Sequence, residues 1–177
     1  MHADVYDALA AIAKELGDDR AAFDLVFTSW GAICWLPDIR RWAAVAAHFV
    51  KPGGSLYMAE GHPTAFVFDD AHRLPDGMPG YLVPYFGREP FVTVDPRDYA
   101  DESARLANAT QYNWCHPLAD IVTALLDQGL ALELLHEHDS APWRMFACLV
   151  RDQVGMWRWP DKPWLPLAFS LRMRRPR

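Results

Sequence analysis

Three side chains that can accept a proton stand near the ends of predicted elements. Glu60 and His62 follow an apolar run over residues 55–59, and His116 stands just before Pro117 at the start of a predicted helix. Residues two apart point the same way in an extended chain, so Glu60 and His62 would share one side of a strand. A histidine with a pKa of about 6.5 can take a proton from a hydroxyl or an amine. We predict Glu60, His62 and His116 as candidate catalytic bases.

Each histidine also has a structural interpretation. His62 could be a loop residue that is hydrogen-bonded to the backbone, and His116 could simply mark the entry to the helix that begins at Pro117.

Two tryptophans, Trp30 and Trp35, flank the loop that follows the first predicted strand. The face of an aromatic ring attracts a cation by about 0.5 to 2 kcal/mol, so this loop could hold a positively charged group. Trp35 could instead pack against the start of the next helix.

The segment over residues 23–63 must position these side chains. Residues 23–27 form an apolar run with little alternation, which is typical of a parallel strand covered on both faces. Pro37 and Asp38 suit the first turn of a helix, and apolar side chains then recur at helical spacing as far as Phe49. The KPGG sequence that follows predicts the end of the helix and a turn.

A second strand, over residues 55–59, completes a βαβ unit with parallel strands. The carboxyl ends of parallel strands lie side by side, and ligands bind at that rim in open α/β sheets. We therefore expect residues 28–35 and 60–63 to form a ligand-binding rim.

Four segments of this unit resemble the fourth and fifth strands of class I S-adenosylmethionine-dependent methyltransferases: FDLVFTSWG, WLPDIRRW, KPGG and AEGHP. The resemblance implies S-adenosylmethionine as cofactor, with its sulfonium end beside the loop after the first strand. The Ala-Asp pair at the start of the chain resembles the end of the family's third strand, whose acid contacts the adenine. The implied cofactor-binding residues are Asp4, Val5, Ser29, Trp30, Gly31 and Trp35. Asp4 could instead cap the helix that follows it, since Asp is a preferred N-cap residue.

The resemblance also implies an acceptor pocket, because Tyr112 and Trp114 resemble aromatic residues that face the acceptor in this family. Residues 64–96 form a long connection rich in proline and aromatic residues, and such connections often act as lids or binding loops. We predict that residues 64–115 are a lid or substrate-facing insertion. The aromatic residues of this segment could equally form a small second core.

The rest of the chain continues the same pattern. A helix over residues 9–16 ends at Gly17, a second follows Pro117 and ends at Gly129, and residues 130–138 alternate as a strand. Residues 105–114 are predicted as extended, 139–142 as a turn, 166–173 as the closing strand, and the final arginines as a solvated tail. The last two strands resemble the antiparallel sixth and seventh strands of the family.

We therefore predict an α/β fold in one domain over residues 1–177. It is a partial Rossmann-like methyltransferase sheet, with strands corresponding to 4-5-7-6 of the family, flanking helices and an irregular lid insertion. The sequence contains no GxGxxG motif, so it matches the C-terminal portion of a family domain without the glycine-rich cofactor loop. The strand over residues 23–28 would then have a free, apolar edge. We expect a homodimer through that edge, or pairing with an upstream N-terminal segment.

Composition limits the other classes of function. The net charge of −6 argues against a nucleic-acid-binding surface. No apolar run reaches the roughly 20 residues that span a bilayer, and no signal-peptide pattern is present, so we expect a cytoplasmic protein without a membrane partner. Cys34, Cys115 and Cys148 are widely spaced, which favours free thiols over a metal or disulfide role.

The predicted function is methyl transfer to a small molecule, dependent on missing N-terminal elements or a partner. The alternative is a non-catalytic α/β remnant that pairs through its edge.

Overall fold

The chain is described by a computed structural model over residues 2–16, 23–96 and 103–177. Three short 3-10 helices, Val5–Asp7, Ile33–Trp35 and Ala65–Val67, lie between the longer elements. The helices and strands in chain order are α1 (Ala8–Leu16), β1 (Phe23–Thr28), α2 (Ile39–His48), β2 (Val50–Gly61), β3 (Phe68–Asp69), β4 (Gly80–Tyr81), β5 (Phe91–Val94), β6 (Thr110–Asn113), α3 (Leu118–Leu126), β7 (Ala131–His138), β8 (Ser140–Ala141), β9 (Val150–Arg151), β10 (Trp157–Arg158) and β11 (Ala168–Arg174).

The central sheet has four strands in the order β1-β2-β11-β7. Strands β1 and β2 are parallel, whereas β11 is antiparallel to both β2 and β7. This is the order predicted from the family resemblance, with strands corresponding to 4-5-7-6, and that prediction is confirmed. The last strand of the chain therefore inserts between β2 and β7, and the parallel pairing of β1 with β2 places the carboxyl ends of these two strands side by side.

Helix α2 makes the connection between the two parallel strands. It begins after Asp38, whose carboxylate accepts the backbone N–H of Arg41 at 2.9 Å, so Asp38 rather than Pro37 is the N-cap. Its buried face includes Trp42, Ala43 and Ala46. The predicted helix is confirmed, and its amphipathic pattern explains which side packs on the sheet.

Residues 51–54 do not form the predicted turn. They belong to β2, which already pairs with β1 at Val50 opposite Phe23. The next register pair is Leu25 with Ser55, so β2 has extra residues here and bulges, with Gly53 at φ 76°. The chain turns at the end of α2 instead, because the pairing of Val50 with β1 draws these residues into the sheet.

Two clusters of buried side chains hold the fold together. The larger one lies between one face of the central sheet and helices α2 and α3; it includes Trp42, Leu56, Met58, Leu125 and Leu171. The smaller one lies under the segments around β3, β8 and β10. It contains Ala65, Ala141, Phe146, Leu149, Trp159 and Leu167. Part of the aromatic segment after β2 therefore packs in a second core, which was one of the two predicted alternatives.

Other segments differ from the sequence predictions in detail. Residues 140 and 141 form β8, which pairs with β10, so the predicted turn over 139–142 is wrong. Only Thr110–Asn113 of the predicted extended segment is a strand; it pairs with β5. Gly129 follows α3 with φ 76°, as expected of a residue that ends a helix. The predicted helix end at Gly17 lies outside the described residues.

The predicted solvated arginine tail is also wrong, because Arg175 is part of the fold. Its guanidinium donates to the carbonyl oxygens of Ala47, His48 and Val50 at 3.1, 3.4 and 2.9 Å. Its backbone N–H donates to the carbonyl of Gly54 at 3.0 Å. A cation at the end of α2 stabilises the negative end of the helix dipole, and its hydrogen bonds join the last turn of α2 to the start of β2.

Strand β1 forms an edge of the sheet, since it pairs only with β2 within the described residues. Its side chains Phe23, Leu25 and Phe27 are 41%, 56% and 59% exposed. The register pairs Leu25 with Ser55 and Phe27 with Tyr57, on the face opposite to the one that α2 and α3 cover. None of the described helices is both long enough and apolar enough to cross a bilayer.

Candidate functional site

A buried carboxylate joins the ends of the two parallel strands. Glu60, near the end of β2, is 1% exposed, and its oxygens accept backbone N–H groups of the loop that follows β1. The distances are 2.6 Å to Gly31, 2.8 Å to Ala32 and 3.4 Å to Ile33, and the N–H of Gly61 donates at 2.8 Å. These four donors compensate the cost of burying the charge. Glu60 therefore holds the loop after β1 in place.

The loop after β1 presents polar groups and rings at the predicted rim. Ser29, Trp30 and Gly31 are all exposed, and Gly31 has φ 72°, a left-handed conformation that glycine adopts without strain. The ring of Trp30 packs edge-on against Trp143 at 5.3 Å between centroids and is still 42% exposed. Trp35 is 48% exposed on the following 3-10 helix. The two tryptophan rings thus offer accessible faces on either side of this loop.

The start of the chain is attached to the first turn of α2. Asp4 caps the 3-10 helix Val5–Asp7, since its carboxylate accepts the N–H of Tyr6 at 2.8 Å. The phenol oxygen of Tyr6 accepts the N–H of Asp38 at 2.8 Å and donates to the carbonyl of Asp38 at 3.1 Å. The predicted capping role of Asp4 is observed. Asp4 and Val5 are held near the α2 N-terminus on the same end of the sheet as the rim.

A cavity of about 390 Å³ lies beside the rim, and we refer to it as the rim cavity. It brings together the start of α2, the loop around residue 87 and the segment before α3. Trp114 is anchored there, because its backbone N–H donates to the carbonyl of Cys34 at 2.8 Å. A second crevice of only about 10 Å³ is lined by Glu60, Trp114 and His116 together. The residues lining the rim cavity are Pro37, Asp38, Ile39, Arg40, Gly87, Arg88, Trp114, Cys115, His116 and Asp120.

His116 is the predicted base that lines the rim cavity. Its Nε2 lies 2.7 Å from the carbonyl oxygen of Leu36, so Nε2 carries a proton and donates it, and Nδ1 is the basic nitrogen of the neutral ring. Burial lowers the pKa of His116 below its usual value, and the bond to Leu36 and the charge of Asp120 oppose this shift only in part. The neutral ring is therefore the stable form near pH 7.

His62 lies in a different environment from His116. It is 2% exposed, packs edge-on against Phe169, and its Nδ1 accepts the backbone N–H of Thr64 at 3.2 Å. Nε2 is buried and lies 2.9 Å from a carboxylate oxygen of Glu137, which is a charge contact rather than a well-formed hydrogen bond in the described part of the chain. Burial lowers the pKa of His62, and the negative charge of Glu137 acts in the opposite direction. His62 therefore has the backbone-bonded loop position that was predicted as its alternative.

The structure brings some of the predicted residues together and separates others. Glu60, Trp114 and His116 converge at the small crevice, whereas Tyr112 is 54% exposed on β6 and does not line the rim cavity. Two thiols near this region are buried, and burial raises the pKa of Cys34 to about 12 and of Cys115 to about 11. Neither thiol is a nucleophile at neutral pH, because the thiolate is the reactive form.

Sequence reasoning missed several residues of this region. Arg88 and Asp120 form an ion pair at the rim cavity although they are 32 positions apart in the sequence. Glu137, which faces His62, comes from the strand at the opposite edge of the sheet. These partners are set by the tertiary fold, and no local spacing in the sequence marks them.

Comparisons with known proteins show likeness in structure only. No protein-family model matches the chain, and no curated protein matches it. A candidate S-adenosylmethionine-dependent methyltransferase from Listeria monocytogenes superimposes with a TM-score of 0.55 at 14% identity, over 89% of this chain and 63% of the other. An S-adenosylmethionine-dependent methyltransferase from Mesorhizobium loti gives a TM-score of 0.51 at 16% identity, over 88% of this chain and 64% of the other.

The two superpositions establish the fold of the chain. The chain shares the α/β arrangement of these methyltransferase structures and spans less than two thirds of their length. At such low identity a shared fold does not define a shared activity, because activity depends on the residues of the site.

Proposed function

We propose that the chain takes part in S-adenosylmethionine-dependent methyl transfer to a small-molecule acceptor. The observation that carries the proposal is the paired rim: the ends of the parallel strands β1 and β2 meet, and Glu60 fixes the loop between them through Gly31 and Ala32. A ligand site at the carboxyl ends of parallel strands is the general rule for open α/β sheets. Beside this rim lies a cavity of about 390 Å³, which is the size of a small-molecule site.

The residues of the rim fit part of the cofactor. S-adenosylmethionine supplies an electrophilic methyl group on a sulfonium cation. The exposed rings of Trp30 and Trp35 can attract this cation. Asp4 retains carboxylate capacity for the adenine amino group because, among the described residues, its hydrogen bond is made by Oδ1 to Tyr6. The backbone N–H groups of Gly31 and Ala32 are already used by Glu60, so they are not free to bind the cofactor. We assign Ser29, Trp30, Gly31, Trp35, Asp4 and Val5 to the cofactor side.

The acceptor would occupy the rim cavity. Trp114 gives it an aromatic wall, and the Arg88–Asp120 ion pair gives it a polar one. His116, neutral near pH 7, can accept the proton that an acceptor hydroxyl or amine loses during transfer. Glu60 acts as a positioning residue, because its oxygens are engaged by the backbone. His62 is the second candidate base, and it needs movement of the overlying segment to reach an acceptor.

The segment over residues 64–115 contributes the outer wall of this site. Gly87 and Arg88 line the rim cavity from that segment, and the hydroxyl of Tyr85 accepts the N–H of Leu118 at 3.1 Å, which ties it to the start of α3. We propose that it serves as a lid that excludes water from the acceptor. Tyr112 would then contact the acceptor only when the lid closes, since it is exposed in this conformation.

We further propose that the chain supplies one side of the cofactor site and needs a second element for the other. The sequence has no GxGxxG cofactor loop, and no strand of the described residues pairs with the outer edge of β1 beside the rim. An upstream segment or a second copy that pairs with β1 would cover that edge. The chain alone would bind the cofactor weakly and turn over slowly.

Titration calorimetry with S-adenosylhomocysteine tests the proposal. We expect a saturable signal in the micromolar to millimolar range for the chain, a lower affinity for Trp30→Ala, and an unchanged affinity for Phe86→Ala. Phe86 is a matched control because it is an aromatic residue that is 76% exposed and that lines neither the loop after β1 nor the rim cavity. Absence of heat from a folded sample, or equal affinity of both variants, would contradict the cofactor assignment.

A specific observation favours a second candidate function, a non-catalytic module that pairs through its sheet edge. Phe23, Leu25 and Phe27 are large apolar side chains exposed along β1, and edges of this kind are templates for pairing with another chain. Sedimentation velocity separates the outcomes: a dimer without binding of S-adenosylhomocysteine supports the module. A monomer at high concentration that binds the ligand supports the methyltransferase alone.

A further inference from the structure

A second cavity, of about 330 Å³, lies away from the rim between the β3–β4 hairpin and the segment that follows β10. We refer to it as the tryptophan pocket. Trp159 and Trp164 form one side, and Phe68, Leu74 and Met78 form the other. Trp164 is 53% exposed and Leu74 is 49% exposed, so both are open to a ligand. None of these residues lines the rim cavity, so the two sites are separate.

The polar groups of the pocket walls already have partners. The indole N–H of Trp159 donates to the carbonyl of Leu165 at 2.9 Å, and that of Trp164 donates to Asp161 at 3.2 Å. In the hairpin, the N–H of Met78 donates to Asp76 at 3.0 Å, and the N–H of Leu74 donates to the carbonyl of Met78 at 2.8 Å. A ligand therefore gains little from donating or accepting hydrogen bonds here.

The rings of the pocket are held in fixed positions. Asp161 fixes the indole of Trp164, the ring of Trp159 stacks on Phe146 at 5.6 Å, and Phe68 stacks on Tyr81 at 5.2 Å. A cavity with rigid walls costs little to organise when a ligand binds. Planar molecules match such walls, because offset-stacked and edge-to-face contacts between rings are favourable.

We propose that the tryptophan pocket is a binding site for a neutral, planar, ring-bearing small molecule. The cavity is concave, lies within the size range of small-molecule sites and is lined mainly by apolar and aromatic side chains. Asp76 lines the pocket, and the ammonium of Lys162 lies 5.3 Å from the centroid of the Trp164 ring, so charges of both signs are present and neither an anion nor a cation is favoured over a neutral ligand. This proposal is independent of the proposed methyl-transfer function.

The neutral naphthalene dye prodan is a suitable probe, because its emission shifts to shorter wavelength when it leaves water. We expect saturable binding of one dye to the chain. Trp164→Ala should weaken it by about tenfold, through loss of a stacking surface and of buried apolar area. Leu74→Arg should also weaken it by about tenfold or more, since it places a charge at the mouth of the pocket. Both side chains are about half exposed, so the variants should fold.

Two controls separate this site from other apolar surfaces. Phe27→Ser removes an exposed ring from the β1 face, and Phe86→Ala removes one from the segment near the rim cavity; neither should change the dye affinity. The proposal is overturned if no saturable binding occurs, if Trp164→Ala and Leu74→Arg bind as the unmodified chain does, or if only Phe27→Ser weakens binding.

Discussion

The backbone N–H of Gly31 donates a 2.6 Å hydrogen bond to a carboxylate oxygen of Glu60, across the parallel pair of β1 and β2. The same carboxylate accepts the N–H groups of Ala32 and Gly61. The loop that follows one strand is therefore shaped by a side chain near the end of the next. Any ligand at this rim meets a surface whose geometry depends on one buried acid.

We predict that Glu60→Gln destabilises the chain by about 1 to 3 kcal/mol, which is the usual cost of leaving buried hydrogen-bonding groups unpaired. Gln replaces one carboxylate oxygen of Glu60 with an NH₂ group. This NH₂ group would then face a backbone N–H group, and two donors cannot form a hydrogen bond. Urea unfolding followed by circular dichroism measures the change. Glu89→Gln, at an exposed position, is the matched control and should be neutral. Equal stability of both variants would mean that the hydrogen bonds of Glu60 to the loop after β1 contribute nothing to the free energy of unfolding.

The pH dependence of stability should report on His116. Burial lowers its pKa in the folded chain, so below the unfolded value of about 6.5 the unfolded chain binds more protons and the folded state loses stability. This contribution is present above about pH 6.5 and is lost as the pH falls through the lower, folded pKa. The charge of Asp120 raises the pKa of His116 and the charge of Arg88 lowers it, so both members of this ion pair influence the titration of His116.

His116→Gln keeps a side-chain N–H for the carbonyl of Leu36 but cannot be protonated in this range. We expect it to lose less stability than the unmodified chain between about pH 7.5 and about pH 5.5, the interval in which a histidine of normal pKa titrates. Urea midpoints at the two pH values measure this difference. His2→Gln, at an exposed position, should behave as the unmodified chain does. An identical pH dependence in all three would exclude His116 as the cause.

Arg175 should matter for folding although it stands two residues from the end of the chain. Its guanidinium donates to the carbonyls of Ala47 and Val50 around the C-terminus of α2. We expect Arg175→Ala to cost about 1 to 3 kcal/mol, in line with hydrogen bonds made by a charged group. Thermal unfolding provides the measurement, and Arg177→Ala, at an exposed position, is the control. If both variants lower the midpoint equally, the loss is of general charge and not of the cap.

The order of the central sheet could be predicted from the sequence because each strand carries local signals. The apolar run of β1, the Asp38 cap of α2 and the closing strand β11 are all visible in the residues themselves. The parallel pairing of β1 with β2 follows from the helix between them. The resemblance to the methyltransferase family added the antiparallel insertion of β11, which spacing alone does not specify.

The details of the site could not be predicted in the same way. The oxygens of Glu60 are paired with backbone groups 27 to 29 positions earlier in the chain, and Arg175 caps a helix more than 120 positions before it. A sequence shows that these residues are charged but not where the tertiary fold places their partners. Glycine and proline in the KPGG segment predict a turn, whereas the pairs of Val50 with Phe23 and of Ser55 with Leu25 on either side make the segment a bulge within β2.

The exposed face of β1 leads to a prediction about association. Phe27 is 59% exposed and stacks on Tyr57 at 5.9 Å, and the register places Arg172 next in the same row of the sheet. If two copies pair through their β1 edges, Phe27 becomes buried at the contact. Phe27→Lys would then bring a lysine from each copy to the paired edge, and like charges at that edge oppose the pairing.

We therefore expect the unmodified chain to show concentration-dependent association in sedimentation velocity, and Phe27→Lys to remain a monomer at the same concentrations. The variant should keep its thermal midpoint as a monomer, because Phe27 lies outside the buried core clusters. Phe86→Lys replaces a ring that is even more exposed, at 76%, on another part of the chain and should associate as the unmodified chain does. If the unmodified chain stays monomeric, the prediction of a homodimer is wrong, and the edge of β1 is available for an upstream segment instead. Association that Phe27→Lys does not reduce places the contact elsewhere, since a lysine on a paired edge strand opposes the pairing.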